Sequence, residues 1–280
     1  MSGGQLILAA TPLGNVLDAS ERLKQTLCSA DLIAAEDTRR AKRLFSDLCL
    51  EVAAPIISLF EDNEEKKIPD LIAKLKEGQR IVVISDAGTP GVSDPGYKLV
   101  NKAIEENIDI TIIPGPSAVI SALVLSGLPT DRFSFEGFIA RKGKERTEIL
   151  ENLNTDSKTM VLFESPRRTL QTLEDIQAIV GDERSGAVVR EISKTYEEVI
   201  RGTLSQLVAW AKSKEVLGEI TLVIGGSTKA SKNEVDDVAI SQVKQLVDKG
   251  MSFKDAVQEI ATKQGLSRRE LYQASLGLDA

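Results

Sequence analysis

The first 113 residues alternate short apolar runs with longer stretches whose apolar positions recur at helical spacing. The runs predict five strands, at residues 5–10, 32–35, 56–59, 80–84 and 110–113. The intervening stretches predict four helices. One opens at Asp18 with Glu21 as its capping-box partner, one at Asp37, one at Asn63 and one near Pro95. Apolar strands alternating with amphipathic helices predict an α/β fold with a parallel sheet covered on both faces.

A second α/β unit follows a small-residue helix at residues 117–126. Its predicted strands lie near residues 133–137, 159–164, 186–190, 197–202 and 219–225, and its helices near 144–154, 169–180 and 204–214. Beyond a polar linker at 227–233 the pattern is helical only, and Ala261, Gly265 and Leu271 have the spacing of a helix-turn-helix core. We therefore expect an N-terminal α/β domain at 1–115, a C-terminal α/β domain at 116–226, and a linker with a small all-helical module at 227–280.

The composition narrows the possible chemistry, because the chain contains no histidine. Ser-His-Asp and Cys-His sites are excluded, and a general base has to be Asp, Glu, Lys, Tyr, Cys or water. The net charge of -7 argues against a protein that binds nucleic acid through its overall charge, but it does not exclude binding through a local basic patch. Cys28 and Cys49 are expected to be buried thiols in a reducing compartment. With no basic signal segment and no apolar run near about 18 residues, we expect a cytoplasmic protein.

Four loops follow predicted strands, where open parallel sheets bind ligands. The most distinctive, 85–96, holds three Gly, two Pro and the carboxylates Asp86 and Asp94, which suit hydroxyls, an amine or a cation. The alternative is a tight connection in which Asp94 caps the next helix. Loop 114–118 opens a helix and offers free N–H groups to a carboxylate or phosphate, with close helix packing at a domain junction as the alternative. Loop 11–15 matches neither the dinucleotide-binding fingerprint nor a P-loop. An ordinary strand-to-helix turn is the alternative to a binding loop here. Loop 36–40 presents acidic residues followed by Arg, with a plain N-cap as the alternative for Asp37.

Charged segments also end strands of the second unit, at 164–168 and 190–198. They suit phosphate contacts or acid–base work, with solvated surface charge as the alternative. Residues 141–146 form a local basic cluster that either touches nucleic acid or is a solvated helix start.

Taken in order, these segments resemble the ribosomal small subunit methyltransferase I family of the tetrapyrrole-methylase superfamily. The most specific match is the loop Ser-Asp-Ala-Gly-Thr-Pro-Gly-Val-Ser-Asp-Pro-Gly at 85–96. Further matches are at 10–15, 35–39, 114–118, 127–133, 135–138, 164–166, 190–191, 194 and 218–220. The resemblance implies two α/β domains of tetrapyrrole-methylase type with S-adenosylmethionine in the cleft between them, and a homodimer. It implies methylation of the ribose 2′-oxygen of a cytidine, 1402 in the family nomenclature, in the decoding centre of 16S ribosomal RNA in the small subunit.

The resemblance also implies site residues. The cofactor contacts are Leu13, Asp86, Thr89, Ser117, Ala118, Phe163 and Ile220. The catalytic candidates are Glu36, Asp37, Arg39, Asp94, Glu191 and Lys194, with no metal. The carboxylates are candidate bases, and Arg39 and Lys194 are candidates to orient the ribose-phosphate. Lys194 becomes a base if burial lowers its pKa. Family members often carry histidine where this chain has Arg40 and Arg167, so a histidine base is excluded here. Basic residues expected to face RNA are Arg39, Arg40, Arg43, Arg141, Lys142, Lys144, Arg167 and Arg168.

The sequence leaves three other functions open. One is a methyltransferase of the same superfamily acting on a tetrapyrrole or a translation factor. Another is a non-enzymatic nucleic-acid-binding regulator that uses the helical tail, against which the near-balanced charge of that tail weighs. The third, a dinucleotide-dependent oxidoreductase, is disfavoured because no GxGxxG occurs.

Overall fold

The computed structural model describes residues 3–227, 237–264, 266 and 268–276 of the chain. Its first part alternates strands and helices in chain order: β1 (Gln5–Ala9), α1 (Glu21–Cys28), β2 (Leu32–Ala35), α2 (Thr38–Asp47), β3 (Ile56–Ser58), α3 (Glu61–Lys76), β4 (Arg80–Ile84), α4 (Tyr97–Glu105) and β5 (Asp109–Ile113). The strands form one sheet in the order β3-β2-β4-β1-β5, and every pairing is parallel. The predicted parallel sheet is confirmed.

A core lies on each face of this sheet, which explains why the inner strands β1, β2 and β4 are mainly apolar. The edge strand β5 keeps exposed residues such as Ile112. Leu6 of β1 packs with Leu71 of α3 and Leu99 of α4 in one core. The next residue, Ile7, lies in the opposite core with Leu23 of α1. Successive side chains therefore enter different cores, and neither position of the alternation tolerates a polar residue.

The second part contains α5 (Ala118–Ser126), β6 (Phe133–Phe138), α6 (Lys144–Thr155), β7 (Thr159–Glu164), α7 (Thr169–Val180), β8 (Ser185–Arg190), β9 (Glu198–Thr203), α8 (Leu204–Ser213) and β10 (Ile220–Ile224). Its sheet has the order β6-β7-β10-β8-β9. The pairing of β6 with β7 is parallel, whereas the other three pairings are antiparallel. Val119 and Leu123 of α5 pack on one face of this sheet against Val161 and Val223.

Three helices end the described chain: α9 (Asp237–Asp248), α10 (Phe253–Gln264) and α11 (Arg268–Ser275). They share a core that includes Ala261 and Leu271. Gly265 of the predicted helix-turn-helix, and the predicted linker beyond Ser227, lie outside the described residues. By compactness the chain divides into one unit of Met1–Glu151 with Lys158–Gly225, which holds both sheets, and a second of Asn152–Ser157 with Gly226–Ala280. The domain boundaries expected at 115–116 and 226–227 stay predictions.

Two predicted helix starts are wrong. The N-cap of α1 is Ser20, whose hydroxyl accepts the N–H of Leu23 at 3.1 Å, while Asp18 belongs to a preceding 3-10 turn. Helix α3 begins at Glu61, and Asn63 caps it from inside the first turn by accepting the N–H of Phe60 at 2.9 Å. In both cases a capping residue lies close to the true start, and sequence spacing alone did not identify which residue caps.

The expectation of buried thiols is also wrong. Cys28 and Cys49 are both exposed. Cys28 is the last residue of α1, and Cys49 follows α2 with a positive φ of 53°, so both lie at solvent-facing helix ends. No helix in the described part of the chain is both long and apolar enough to span a membrane.

Candidate active site

A cavity of about 470 Å³ lies at the carboxyl ends of β1, β2 and β4 and is completed by residues of β7 and β10. This is where an open parallel sheet presents its loops to a ligand, and the volume lies in the range of small-molecule sites. The lining residues are Leu13, Glu36, Arg40, Asp86, Ala87, Gly88, Thr89, Val92, Ser93, Asp94, Ser117, Ala118, Val119, Phe138, Phe163, Glu164, Ser165, Pro166, Gly218, Glu219, Ile220 and Thr221.

The cavity brings together most of the residues that the sequence singled out. All seven expected cofactor contacts line it, as do two of the six catalytic candidates, Glu36 and Asp94. The other four, Asp37, Arg39, Glu191 and Lys194, are not among the lining residues. The chemical role of each of the thirteen stays a prediction.

Backbone hydrogen bonds hold three of the loops against one another. Thr11 and Gly88 exchange two backbone hydrogen bonds, of 2.9 and 3.0 Å. Gly88 has φ 82°, a conformation that a side chain would strain. The hydroxyl of Thr89 donates to the carbonyl of Pro116 at 3.3 Å. The loop that follows β4 is thereby tied to those that follow β1 and β5.

Two carboxylates beside these loops accept backbone donors. Glu36 Oε2 accepts the N–H of Asp86 at 3.2 Å, and Asp86 Oδ1 accepts the N–H of Asp37 at 3.1 Å. Arg40 Nη1 lies 3.4 Å from Asp86 Oδ2. Burial raises the pKa of the Glu36 carboxyl above its ordinary value. The two loops therefore fix each other's acidic side chains, and Arg40 compensates part of the negative charge.

Asp94 is the third carboxylate in the cavity, and the alternative that it caps the next helix is wrong, because the N-cap of α4 is Gly96. Burial, followed by repulsion from Glu36, raises the pKa of Asp94 to about 7, against a partly opposing hydrogen bond with Ser85. A carboxyl with this pKa is divided between its acid and its base form near neutral pH, which suits a group that accepts a proton during a reaction.

Asp37 and Arg39 serve the start of α2. The Asp37 side chain accepts the backbone N–H of Arg39 at 2.7 Å and is the N-cap of the helix. Its other oxygen pairs with the Arg39 guanidinium at 2.7 Å, and the hydrogen bond from Arg39 holds the pKa of Asp37 far below its ordinary value. The plain N-cap alternative for Asp37 is confirmed.

Glu191 and Lys194 belong to a loop that packs beside the cavity. Lys194 Nζ lies 3.1 Å from Glu191 Oε1 and 2.8 Å from Oε2 of Glu219, which lines the cavity. Burial works against the ammonium, but hydrogen bonds with Glu219 and Glu191 prevail and the pKa of Lys194 is raised. The pKa of Lys194 is therefore not lowered by burial, which was the condition for Lys194 to act as a base.

Sequence reasoning missed part of the wall. Val92 and Phe138 line the cavity although 43% and 59% of their surfaces are exposed. Arg40, expected only to face RNA, lines it as well. A glycine near the end of an aromatic strand was the available signal for Phe138, since glycines in strands often mark bulges.

Comparison with known proteins agrees with this fold. Residues 5–208 match the family described as Tetrapyrrole (Corrin/Porphyrin) Methylases. Among solved structures, uroporphyrin-III C-methyl transferase from Thermus thermophilus complexed with S-adenyl homocysteine is similar in fold. The TM-score is 0.55 at 17% identity, over 80% of this chain and 97% of that one. Fold and site thus define a methylase of the tetrapyrrole-methylase class.

Two relatives make the assignment narrower. Ribosomal RNA small subunit methyltransferase I from Mycobacterium bovis is 45% identical over 277 residues, covering 99% of this chain and 96% of that protein. The protein of the same name from Synechocystis is 42% identical over 278 residues, covering 99% of each. The chain belongs to the ribosomal RNA small subunit methyltransferase I family.

Proposed function

We propose that this protein transfers the methyl group of S-adenosylmethionine to the ribose 2′-oxygen of a cytidine, 1402 in the family nomenclature, in 16S ribosomal RNA of the small subunit. One observation carries the proposal. A chain related to ribosomal RNA small subunit methyltransferase I over nearly its whole length gathers all seven expected cofactor contacts and a carboxyl suited to proton acceptance in one cavity.

The protein is an S-adenosylmethionine-dependent ribosomal RNA methyltransferase. The cofactor supplies a methyl group already activated on a sulfonium. The residues of the cavity fit it. Glu36 and Asp86 give the cavity acidic groups for the hydroxyls and positive charges of such a molecule, while Leu13 and Ile220 supply an apolar wall.

The start of α5 suits the carboxylate of the cofactor. Ser117 and Ala118 line the cavity, and Ser117 is the N-cap of α5 without a side-chain cap hydrogen bond. The first N–H groups of a helix have no partner inside the helix, and its N-terminus favours negative charge. We assign this helix end to the amino-acid part of the cofactor.

The acceptor needs a base, because a ribose hydroxyl is a poor nucleophile until its proton is removed. Asp94 has the strongest claim among the candidates. Asp37 and Arg39 neutralise each other, and Glu191 pairs with Lys194 outside the cavity wall. Glu36 is held by the N–H of Asp86. We assign proton acceptance to Asp94, and to the surrounding loops the alignment of acceptor oxygen and methyl group.

We also propose a small-subunit substrate, a homodimeric enzyme and action in the cytoplasm, where small subunits are found. The family resemblance supports all three. Exposed basic residues beside the cavity support the RNA substrate: Arg40 lies in its wall, and Arg167 follows the lining residue Pro166. The mass of the purified protein in solution tests the dimer.

The test is methyl transfer from labelled S-adenosylmethionine to three acceptors offered separately. These are small ribosomal subunits from a strain that lacks the enzyme, large subunits from the same strain, and uroporphyrinogen. We expect label in 16S RNA of the small subunits alone. Label in the tetrapyrrole or in large-subunit RNA would contradict the proposal.

A further inference from the structure

Phe138 is an aromatic side chain at the lip of the cavity. It lines the cavity, yet 59% of its surface is exposed. Its ring centroid lies 5.5 Å from that of Phe163, which is part of the cavity wall. The ring is thus supported by Phe163 on one side, while more than half of the residue's surface stays exposed to solvent.

An irregularity in β6 gives Phe138 this position. The pairing of β6 with β7 shifts register between Phe135 and Phe138, and the intervening Gly137 has φ 62°. In a regular strand, residues three apart face opposite sides of the sheet. Here the rings of Phe135 and Phe138 both pack on the ring of Phe163, with centroid distances of 4.9 and 5.5 Å. The irregularity therefore turns Phe138 to the side on which Phe163 lies, as bulges beside active sites commonly do.

The same strand end lies next to the proposed base. A Cβ at Gly137 would stand 3.3 Å from the hydroxyl of Ser93, which precedes Asp94. Ser93, Asp94 and Phe138 all line the cavity. A ring that holds a nucleobase here would bring the attached ribose toward the carboxyl.

Basic side chains follow the ring along the chain. Arg141 and Lys142 are exposed and come three and four residues after Phe138. An exposed aromatic face flanked by positive charge is the usual platform for single-stranded RNA, because bases stack on the ring while cations hold the phosphates.

We propose that the ring of Phe138 is the surface on which the target nucleobase stacks, presenting its 2′-hydroxyl to Asp94, with Arg141 and Lys142 binding the flanking phosphates. The inference rests on the proposed function and names how that function selects and holds its RNA. In this arrangement the apolar residues Leu13 and Ile220 of the cavity wall contact the cofactor and not the RNA.

The test compares Phe138→Leu with Phe138→Tyr, because leucine keeps an apolar side chain without a ring and tyrosine keeps the ring. Loss of the stacked base should raise KM for small subunits about tenfold in Phe138→Leu, which corresponds to about 1.4 kcal/mol. Phe138→Tyr should stay within about twofold of the wild type. Phe133→Leu is the matched control, since Phe133 is an exposed phenylalanine of the same strand outside the cavity lining. It should leave KM unchanged.

Binding of S-adenosylhomocysteine is measured by calorimetry on the same variants, to distinguish a ring that contacts the RNA base from one that contacts the cofactor. We expect equal affinity in the wild type and Phe138→Leu. An unchanged KM in Phe138→Leu would overturn the inference, and so would loss of S-adenosylhomocysteine binding, because the ring would then cover the cofactor. Absence of transfer by the wild type would instead overturn the proposed function, and this inference with it.

Discussion

Gly14 leaves room for the side chain of Lys194, because a Cβ at position 14 would overlap Cγ of Lys194. Ser193 joins the same two loops, because its hydroxyl donates to Asp18 at 2.6 Å and accepts the N–H of Asn15 at 3.2 Å. The loop after β1, which carries the cavity residue Leu13, is thus attached to the loop between β8 and β9.

Gly14→Ala tests this attachment. The added methyl group has to displace the Lys194 side chain and loosen its ion pair with Glu219, a residue of the cavity wall. We expect unfolding to become easier by about 1–3 kcal/mol, the usual cost of overpacking. We also expect weaker binding of S-adenosylhomocysteine, measured by calorimetry. Gly3→Ala is the control, since no atom lies within 4 Å of a Cβ at Gly3. Unchanged stability and affinity in Gly14→Ala would show that the attachment is not needed.

Asp86→Ala tests the cofactor site. Asp86 Oδ1 accepts the N–H of Asp37, and its other oxygen faces Arg40 at 3.4 Å, so the side chain links two loops of the cavity. We expect S-adenosylhomocysteine binding to become undetectable by calorimetry while the protein stays folded. Asp70→Ala, which removes a surface ion pair with Lys74 on α3, should bind like the wild type. Full retention of binding in Asp86→Ala would contradict the assignment.

The rate of methyl transfer should depend on the protonation of Asp94. With its pKa raised to about 7, the carboxyl is protonated below that pH and then has no free base to offer. The single-turnover rate should rise with pH up to about 7 and level off above it. Asp94→Asn should lower the rate by about 10²- to 10⁴-fold, the usual contribution of a general base, with little change in S-adenosylhomocysteine affinity. If the rate of Asp94→Asn still rose with pH up to about 7 as in the wild type, a group other than Asp94 would control the pH dependence.

The same carboxyl predicts a pH-dependent stability. Because the folded-state pKa of Asp94 is raised above its ordinary value, the folded protein holds this proton more tightly than the unfolded chain. The free energy of unfolding should therefore fall as pH rises from about 4 to about 7. Asn cannot ionise, so Asp94→Asn should not lose stability over this pH range. At pH 8 its free energy of unfolding should exceed that of the wild type by roughly 2 kcal/mol, a value reduced to allow for solvent screening of the partly exposed carboxyl. The exposed Asp109→Asn serves as control in the same denaturant titrations. Equal pH slopes in the wild type and Asp94→Asn would contradict the raised pKa.

The first sheet could be predicted closely because its inner strands β2 and β4 are almost entirely buried. Residues 32–35 and 80–84 were predicted with the observed ends of β2 and β4. The second sheet could be located but not ordered, since an apolar run such as β10 carries no sign of strand direction. Its antiparallel pairings with β7 and β8 come from tertiary packing.

The candidate site was predictable where its residues lie in loops rich in Gly and Pro, as Asp86 and Thr89 do. Glu191 and Lys194 also follow a strand, so the sequence predicted them as site residues. In the structure they form an ion pair with each other and are not among the lining residues of the cavity. Phe138 was missed because its exposure to the cavity depends on an irregular pairing of β6 with β7, which strand alternation does not reveal.

The most direct measurement of the central claim is the identity of the methylated nucleoside. Small subunits from a strain lacking the enzyme are incubated with the protein and S-adenosylmethionine, and the 16S RNA is digested to nucleosides for mass spectrometry. We predict 2′-O-methylcytidine, with the methyl group on the ribose, and none of it when Asp86→Ala replaces the wild type. A methyl group on the base of any nucleoside, or none in 16S RNA, would contradict the account.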